Sequence, residues 1–549
     1  MNIKNKLRSV LENRNCFYVF IVLMSVLVFC SIYGTKILNP CYVDWLMTGG
    51  DLSQHYLGWM SFRNSEWMFP IGMTKELSYP FSTSVIFTDS IPLFAVFFKL
   101  FRMFMPENFQ YFGFWGIACF ILQGLLSTKI LEEYLESKVQ IFFASILFVI
   151  SPVMIFRMYG HTALAGHWIL LLAIYTLIKD FSFIKQTALW TLIGFFSSSV
   201  HIYFIAMTGF IAAGVCLKLI LQKKLFLKSV FPLIGFMIAS SFTVGVLGGF
   251  SNKTAAAGAG GLGYYSMNLN AFFNPQGWSC FVRDLSNGPG QYEGFAFLGL
   301  GTLFLLMFDI FQISLTFDFK SKIPLKEILP YVLVFLAEFI FAISNVITFF
   351  GITILTIPLP KIIYKCWSVF RSTGRFSWIC VYLIMIYSIK ILSKISRKKL
   401  VTSFIIFAVL LQIVDLHKII REKHSYFSEI KVYNHPLLNN LILKKIASDS
   451  GMQHFFIDSD IPQDDLYAFA CIALGHKKTL NRFYLAHGRV DMFNDEFSKQ
   501  LTDLREDNVY VFKKADYVKA KQYGLHCYLL CDYVMGLSNK LENFEEFIE

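Results

Sequence analysis

The amino-acid sequence predicts a mainly α-helical, polytopic membrane bundle of about eleven spans. Interfacial helices are expected in its first outer loop and a small α/β soluble domain at its C-terminus. Three observations carry this prediction. Of 549 residues, 55% are hydrophobic and only 16% charged, against about 45–50% and about 25% in soluble domains. The excess falls in runs close to the ~20 residues that cross a bilayer as a helix. The net charge of +12 sits in short basic clusters between those runs, the pattern of cytoplasmic loops rather than of a nucleic-acid-binding surface. The composition excludes an ordinary soluble enzyme and a disordered chain.

The first span, Cys16 to Leu38, follows Lys4, Lys6, Arg8 and Arg14. It is longer than a signal-peptide core and no small-residue cleavage site follows it, so it reads as retained, with a cytoplasmic N-terminus. Further spans are expected near 109–128, 139–156, 164–179, 186–201, 202–221, 229–249, 295–315, 328–349, 376–394 and 400–416. The apolar stretch 85–105 contains Asp89, Pro92, Lys99 and Arg102 and reads as an interfacial helix. With that choice every inside loop is basic: Lys129 and Lys138, Lys185, Lys223 with Lys224 and Lys228, Lys320 with Lys322 and Lys326, and Arg397 with Lys398 and Lys399. Counting 85–105 as a span would place all of them outside, against the positive-inside rule.

The outside then receives loops 39–108, 250–294 and 350–375 and the tail. The boundary falls at 416, with 1–416 as the membrane domain and 417–549 as an extracytoplasmic α/β domain. Its apolar runs include His454–Ile457, Ala468–Leu474, Val509–Phe512 and Cys527–Tyr533. Eleven cysteines show neither a CxxC pair nor metal-ligand spacing. Cys471, Cys527 and Cys531 lie in the tail, where an oxidising compartment would permit a disulfide.

The outer segments hold polar residues among aromatics. GGDLSQHYLGWMSFRNSEW carries Asp51, Gln54, His55, Arg63 and Glu66, with Asp51, Gln54 and His55 on one helical face. SVIFTDSIPLF carries Asp89, FRMYGHTALAGHW carries Arg157, His161 and His167, NGPGQYEGFAFLGLG carries Gln291 and Glu293, and FRSTGRFSW carries Arg371 and Arg375. All map to one side of the bilayer, where ionisable groups are expected to line a cavity or to be paired. Arg371 and Arg375 would present two forks to one phosphate or carboxylate, or would pin a helix end to lipid headgroups. Arg157, His161 and His167 would form a second cationic wall. Asp51 is placed to accept a hydroxyl proton. Asp89 reads as a second acid or as a helix cap. Glu338 and Asp309, inside predicted spans, read as hydrogen-bonded to neighbouring helices, with a transport relay as the alternative for Glu338. The Gly-rich patch 255–263 has no following Lys-Ser/Thr and reads as a loop, not a phosphate cradle.

On these motifs the chain resembles the GT-C superfamily of integral-membrane glycosyltransferases. More narrowly, GGDLSQHYLGW, SVIFTDSIPL, GHTALAGHW, NPQGWS, GPGQYEGFAFLGLG and FRSTGRF are similar to a bacterial family of multi-span proteins, DUF6311. The step from that family to glycosyl transfer is an analogy of fold. The superfamily resemblance implies sugar transfer from a polyprenyl-phosphate carrier to an extracytoplasmic acceptor glycan, by an inverting single displacement at a bacterial inner membrane. Glucose is one candidate sugar and O-antigen one candidate acceptor. It further implies that Asp51 is the base and Asp89 a second acid. His55, Arg63, Arg157, His161, His167, Gln291, Glu293, Arg371 and Arg375 would bind substrate. Asp51 is followed by Leu52, so the adjacent acidic pair of some members is missing, which puts a divalent-metal requirement in doubt. Two other classes stay open: a transporter or lipid-linked oligosaccharide flippase, and a non-catalytic scaffold for envelope assembly.

Overall fold

A computed structural model describes residues 13–251, 260–316, 325–459, 461–485, 489–541 and 544–547. Lys4, Lys6, Arg8, residues 255–259 of the Gly-rich patch, Lys320 and Lys322 lie outside the described residues. The chain is mainly helical. Among the described residues seven helical stretches are long and apolar enough to cross a membrane: Arg14–Tyr33, Phe112–Leu131, Lys138–Arg157, Tyr203–Leu221, Phe226–Val246, Thr373–Ser393 and Lys398–Ser428. Thr162–Ile178 and Leu300–Ser314 are apolar but shorter. Helices also occupy Phe183–Val200 and Leu325–Ile343. The stretch 85–105 contains an eight-residue helix, Pro92–Lys99, flanked by 3-10 turns; at 1.5 Å per residue it is far too short to span.

Two compact units are present, and they cut the chain differently from a boundary at 416. One comprises residues 1–39, 111–241 and 258–429; the other comprises 40–110, 242–257 and 430–549. The first unit is the helix bundle. Without water to satisfy them, backbone amides must bond within their own helices, and helices approach closely where small residues face a neighbour. Gly124 lies against Ser25, Gly214 against Val334, and Gly301 against the Ala408 carbonyl. The Gly301 amide also donates to Gln412 Oε1 at 2.8 Å, joining Leu300–Thr316 to Lys398–Ser428.

The second unit is built around a five-stranded sheet in the order Thr479–Leu480, His454–Ile457, Asn508–Lys513, Tyr533–Leu537, His526–Leu530. The first two pairings are parallel and the last two antiparallel. Phe456, Phe497, Tyr510, Phe512 and Val534 form its core. The edge strand Thr479–Leu480 is not left open. The Leu480 amide donates to the Glu76 carbonyl (2.7 Å) and the Tyr79 amide to the Leu480 carbonyl (2.8 Å), so the first loop blunts the edge. Tyr79 also stacks on His454, with ring centroids 3.7 Å apart and planes 8° apart. Helix Gly50–Asn64 of the same loop packs on helix Gln463–Gly475 of the tail, where Asn64 Nδ2 donates to the Leu474 carbonyl at 2.8 Å. All eleven cysteines are free, so Cys471, Cys527 and Cys531 form no bridge.

Candidate functional site

In the bundle unit the residues chosen from three separate motifs meet at one carboxylate. Glu293 lies in the 3-10 turn Gln291–Gly294. Its Oε2 accepts from Arg157 Nη2 and from Arg375 Nε, each at 2.9 Å, and its Oε1 lies 3.3 Å from His161 Nε2. Arg157 Nη2 also donates to the Glu293 carbonyl at 2.9 Å. Arg157, Arg375 and Glu293 are buried, whereas the His161 side chain is 26% exposed and forms the open edge of the group.

Local sequence explains each placement. Arg157 ends the short helix Pro152–Arg157, whose Pro occupies the first turn. Arg375 lies in the turn Thr373–Phe376, which leads directly into helix Ser377–Ser393. Gly374 precedes it, and its amide donates to the Tyr265 carbonyl at 3.0 Å. Aromatic faces hold the guanidiniums: Arg157 lies 5.4 Å from the Trp378 ring centroid and Arg375 lies 4.9 Å from that of Tyr203. Such contacts gain strength when desolvated. Burial alone would raise the Glu293 carboxyl, but the Arg375 and Arg157 guanidiniums hold it well below the usual carboxylate range. Glu293 is therefore ionised, and two guanidiniums around one carboxylate leave the group one net positive charge.

The other predicted residues fall beside this group or in the second unit. Arg371 is exposed, donates from Nη2 to Tyr265 Oη at 2.8 Å, and covers that ring at 4.7 Å. His167 is fully buried and pairs through Nδ1 with Tyr382 Oη at 2.8 Å, its ring tilted on Trp378. It abuts the same Trp378 as Arg157 but does not contact Glu293 in the manner of His161. Gln291 acts as a clamp: its Oε1 accepts from Asn268 Nδ2 and from the Gly288 amide, each at 2.9 Å, and its Nε2 donates to Thr348 Oγ1.

Asp51, His55, Arg63 and Asp89 belong to the second unit. Asp51 is in the first turn of helix Gly50–Asn64, partly exposed. Burial first, and after it the Asp51 charge, raises the Tyr467 phenol, with Gln463 acting the other way. That places Asp51 beside a tail helix. His55 is fully buried, and its carbonyl accepts from Ser90 Oγ at 2.7 Å. Arg63 donates to the carbonyls of Glu107 (2.7 Å) and Met105 (3.0 Å), so it ties down the end of the loop. Asp89 adopts φ 53° after the turn Val85–Thr88, and Ile91 adopts φ 52°. For a β-branched residue that is a strained conformation, of the kind that concentrates at functional turns.

Sequence reasoning did not assign roles to Tyr203, Tyr265 or Trp378. The available signal was an arginine flanked by aromatics in FRSTGRFSW; the distant tyrosines carried none. Among the described residues no three His, Cys, Asp or Glu side chains are grouped as a metal ion would need.

Apolar helices of spanning length, with a charged group held on the turns between helices, define a polytopic membrane protein. The chain belongs to the DUF6311 family, a domain of unknown function, whose profile matches residues 22–417. The matched stretch contains every candidate site residue from Asp51 to Arg375. A search of curated proteins finds no match.

Proposed function

We propose that the protein is a GT-C-type membrane glycosyltransferase, moving a sugar from a polyprenyl-phosphate carrier to an extracytoplasmic acceptor glycan. The observation that carries the reading is the buried Arg157–Glu293–Arg375 group with its net positive charge. Guanidiniums fixed in advance in a low-dielectric setting stabilise charge as it develops on a leaving phosphate, without reorganising during the reaction. In this reading the acceptor hydroxyl attacks the anomeric carbon and its proton passes to Asp51. The carbon–oxygen bond to phosphate breaks, its electrons remain on the phosphate oxygen, and the configuration inverts. Glu293 is a positioning residue that orients Arg157 and Arg375, with His161 and Arg371 at their edges. Asp89 serves as a second acid. The tail, which shares a unit with Asp51, recognises the acceptor.

The reading includes eleven spans in a bacterial inner membrane, an N-terminus in the cytoplasm and a periplasmic tail. Its support is the basic residues gathered in alternate loops. A transport reading draws on one observation: Glu338 is fully buried in helix Leu325–Ile343, and, against the expected bond to a neighbouring helix, neither carboxylate oxygen has a hydrogen-bond partner among the described residues. Purified protein given polyprenyl-phosphate-glucose and extracted lipid-linked glycan separates the two. Transfer abolished by Asp51→Asn and retained by Glu338→Gln supports the transferase. Absence of transfer from this and other polyprenyl-phosphate sugars, with substrate movement in vesicles lost in Glu338→Gln, overturns it.

A further inference from the structure

The segment between helix Leu325–Ile343 and the candidate span Thr373–Ser393 is not shaped like an aqueous loop. Val346–Phe349 pairs antiparallel with Ile352–Thr356, and a short helix, Lys361–Trp367, follows. All five residues of Ile352–Thr356 are exposed. Successive strand residues point to opposite faces, so neither face of this strand is covered. Ile352 is 70% exposed, Ile354 60% and, in the short helix, Ile362 73%. A hairpin of two strands alone is marginal in water; one that leaves Ile352, Ile354 and Leu355 in the open needs an apolar medium.

We propose that residues 346–367 form an interfacial wedge, a hairpin and helix seated in the headgroup and upper acyl region of the bilayer. Its position along the chain points to lipid rather than to a second protein. It is continuous with an apolar helix on one side and a candidate membrane span on the other, so both ends are held near the membrane boundary. Its charges complement that boundary. Lys361 and Lys365 can reach headgroup phosphates while their stems stay apolar, and Tyr364 and Trp367 are residue types enriched at that depth. Among the described residues no third strand joins the sheet, and the open edge of Ile352–Thr356 keeps it from sinking further, because open backbone groups are not tolerated in hydrocarbon.

The wedge is also tied to the charged group. Thr348 accepts from Gln291 Nε2, and its carbonyl accepts from the Leu269 amide at 3.0 Å. Gln291 lies two residues from Glu293, so the depth of the hairpin fixes the height of the Glu293 turn above the lipid. This holds whatever reaction the site performs.

The test places a benzophenone-bearing side chain at position 354 or 362 of the full-length protein in its native membrane vesicles. Position 27, on the candidate span Arg14–Tyr33 and 67% exposed, is the lipid control; position 518, 60% exposed in the tail, is the water control. After irradiation, phospholipid adducts at 354 and 362 as at 27, with none at 518, are expected. Adducts to another protein or to a second copy overturn the proposal. So does lipid labelling at 27 alone, or labelling at 518 equal to that at 354.

Discussion

Gly374 lies against Gly294: a Cβ at Gly374 would come within 2.5 Å of the Gly294 Cα. A Cβ at Gly294 would in turn meet the Met267 Cα and the Ser266 carbonyl oxygen at 2.6 Å. Three segments therefore interleave with bare backbone at the crossing, which lets Arg375 reach Glu293. Gly374→Ala is expected to force them apart at about 1–3 kcal/mol, the usual cost of overpacking. A lower melting temperature in detergent, with weaker binding of polyprenyl phosphate, is the expected result. An unchanged melting curve would show that the crossing yields.

Glu293→Gln removes the carboxylate that Arg157 and Arg375 share. Losing one partner of a buried ion pair costs about 3–5 kcal/mol, because the remaining charges stay buried. Adding Arg157→Met to Glu293→Gln should recover part of the loss. Chemical denaturation of the single and double variants checks this, and a double variant less stable than the single one would contradict it.

The pH dependence has a definite sign. The Glu293 carboxyl titrates near 4.5 in the unfolded chain and lower in the folded one. Below that value the unfolded chain binds more protons, so stability falls as pH drops through 4.5 and is fully present above it. Glu293→Gln should flatten that decline. Melting temperatures measured between about pH 6 and pH 3 would show the difference, and parallel curves for the two proteins would refute it.

Arg63 and Asp51 should separate cleanly. Arg63 holds two backbone carbonyls, and hydrogen bonds from charged groups contribute about 1.5–3 kcal/mol each. Arg63→Ala is expected to lower stability and make residues 100–110 more susceptible to protease, at unchanged acceptor affinity. Asp51→Asn is expected to leave the melting temperature in place and abolish sugar transfer. The reverse pattern would exchange their roles.

Much of this was legible in the sequence, and the rest was not for physical reasons. Apolar runs located the helices because bilayer thickness sets their length, and Pro92 with Lys99 marked 85–105 as no span. The arginines and Glu293 were identifiable because charge near apolar helices must be partnered. Which partner each takes was not legible: His161 reaches Glu293 while His167, six residues on, turns to Tyr382. That choice depends on the tertiary position of helix Ser377–Ser393. Arg63 resembled a binding residue by type, yet its carbonyl partners lie over forty residues away in sequence. The membership of the tail's unit was equally hidden, since a sheet edge recruits a strand by backbone groups that leave no side-chain signature. The exposed hairpin was not legible: its first strand, Val346–Phe349, reads as the end of the apolar run 328–349 and its second, Ile352–Thr356, as part of the loop 350–375, because so short an alternation carries no signal of its own.

The pairing of Tyr79 with His454 and of Glu76 with Leu480 has a consequence for biosynthesis. Residues 40–110 leave the ribosome long before residues 454–480 exist, and at about 5–20 residues per second the delay is on the order of tens of seconds. During that interval the early loop has no sheet to join. A chain that stops short of residue 454 lacks the strands that residues 76–79 join, so this unit closes only once the last fifth of the chain is made.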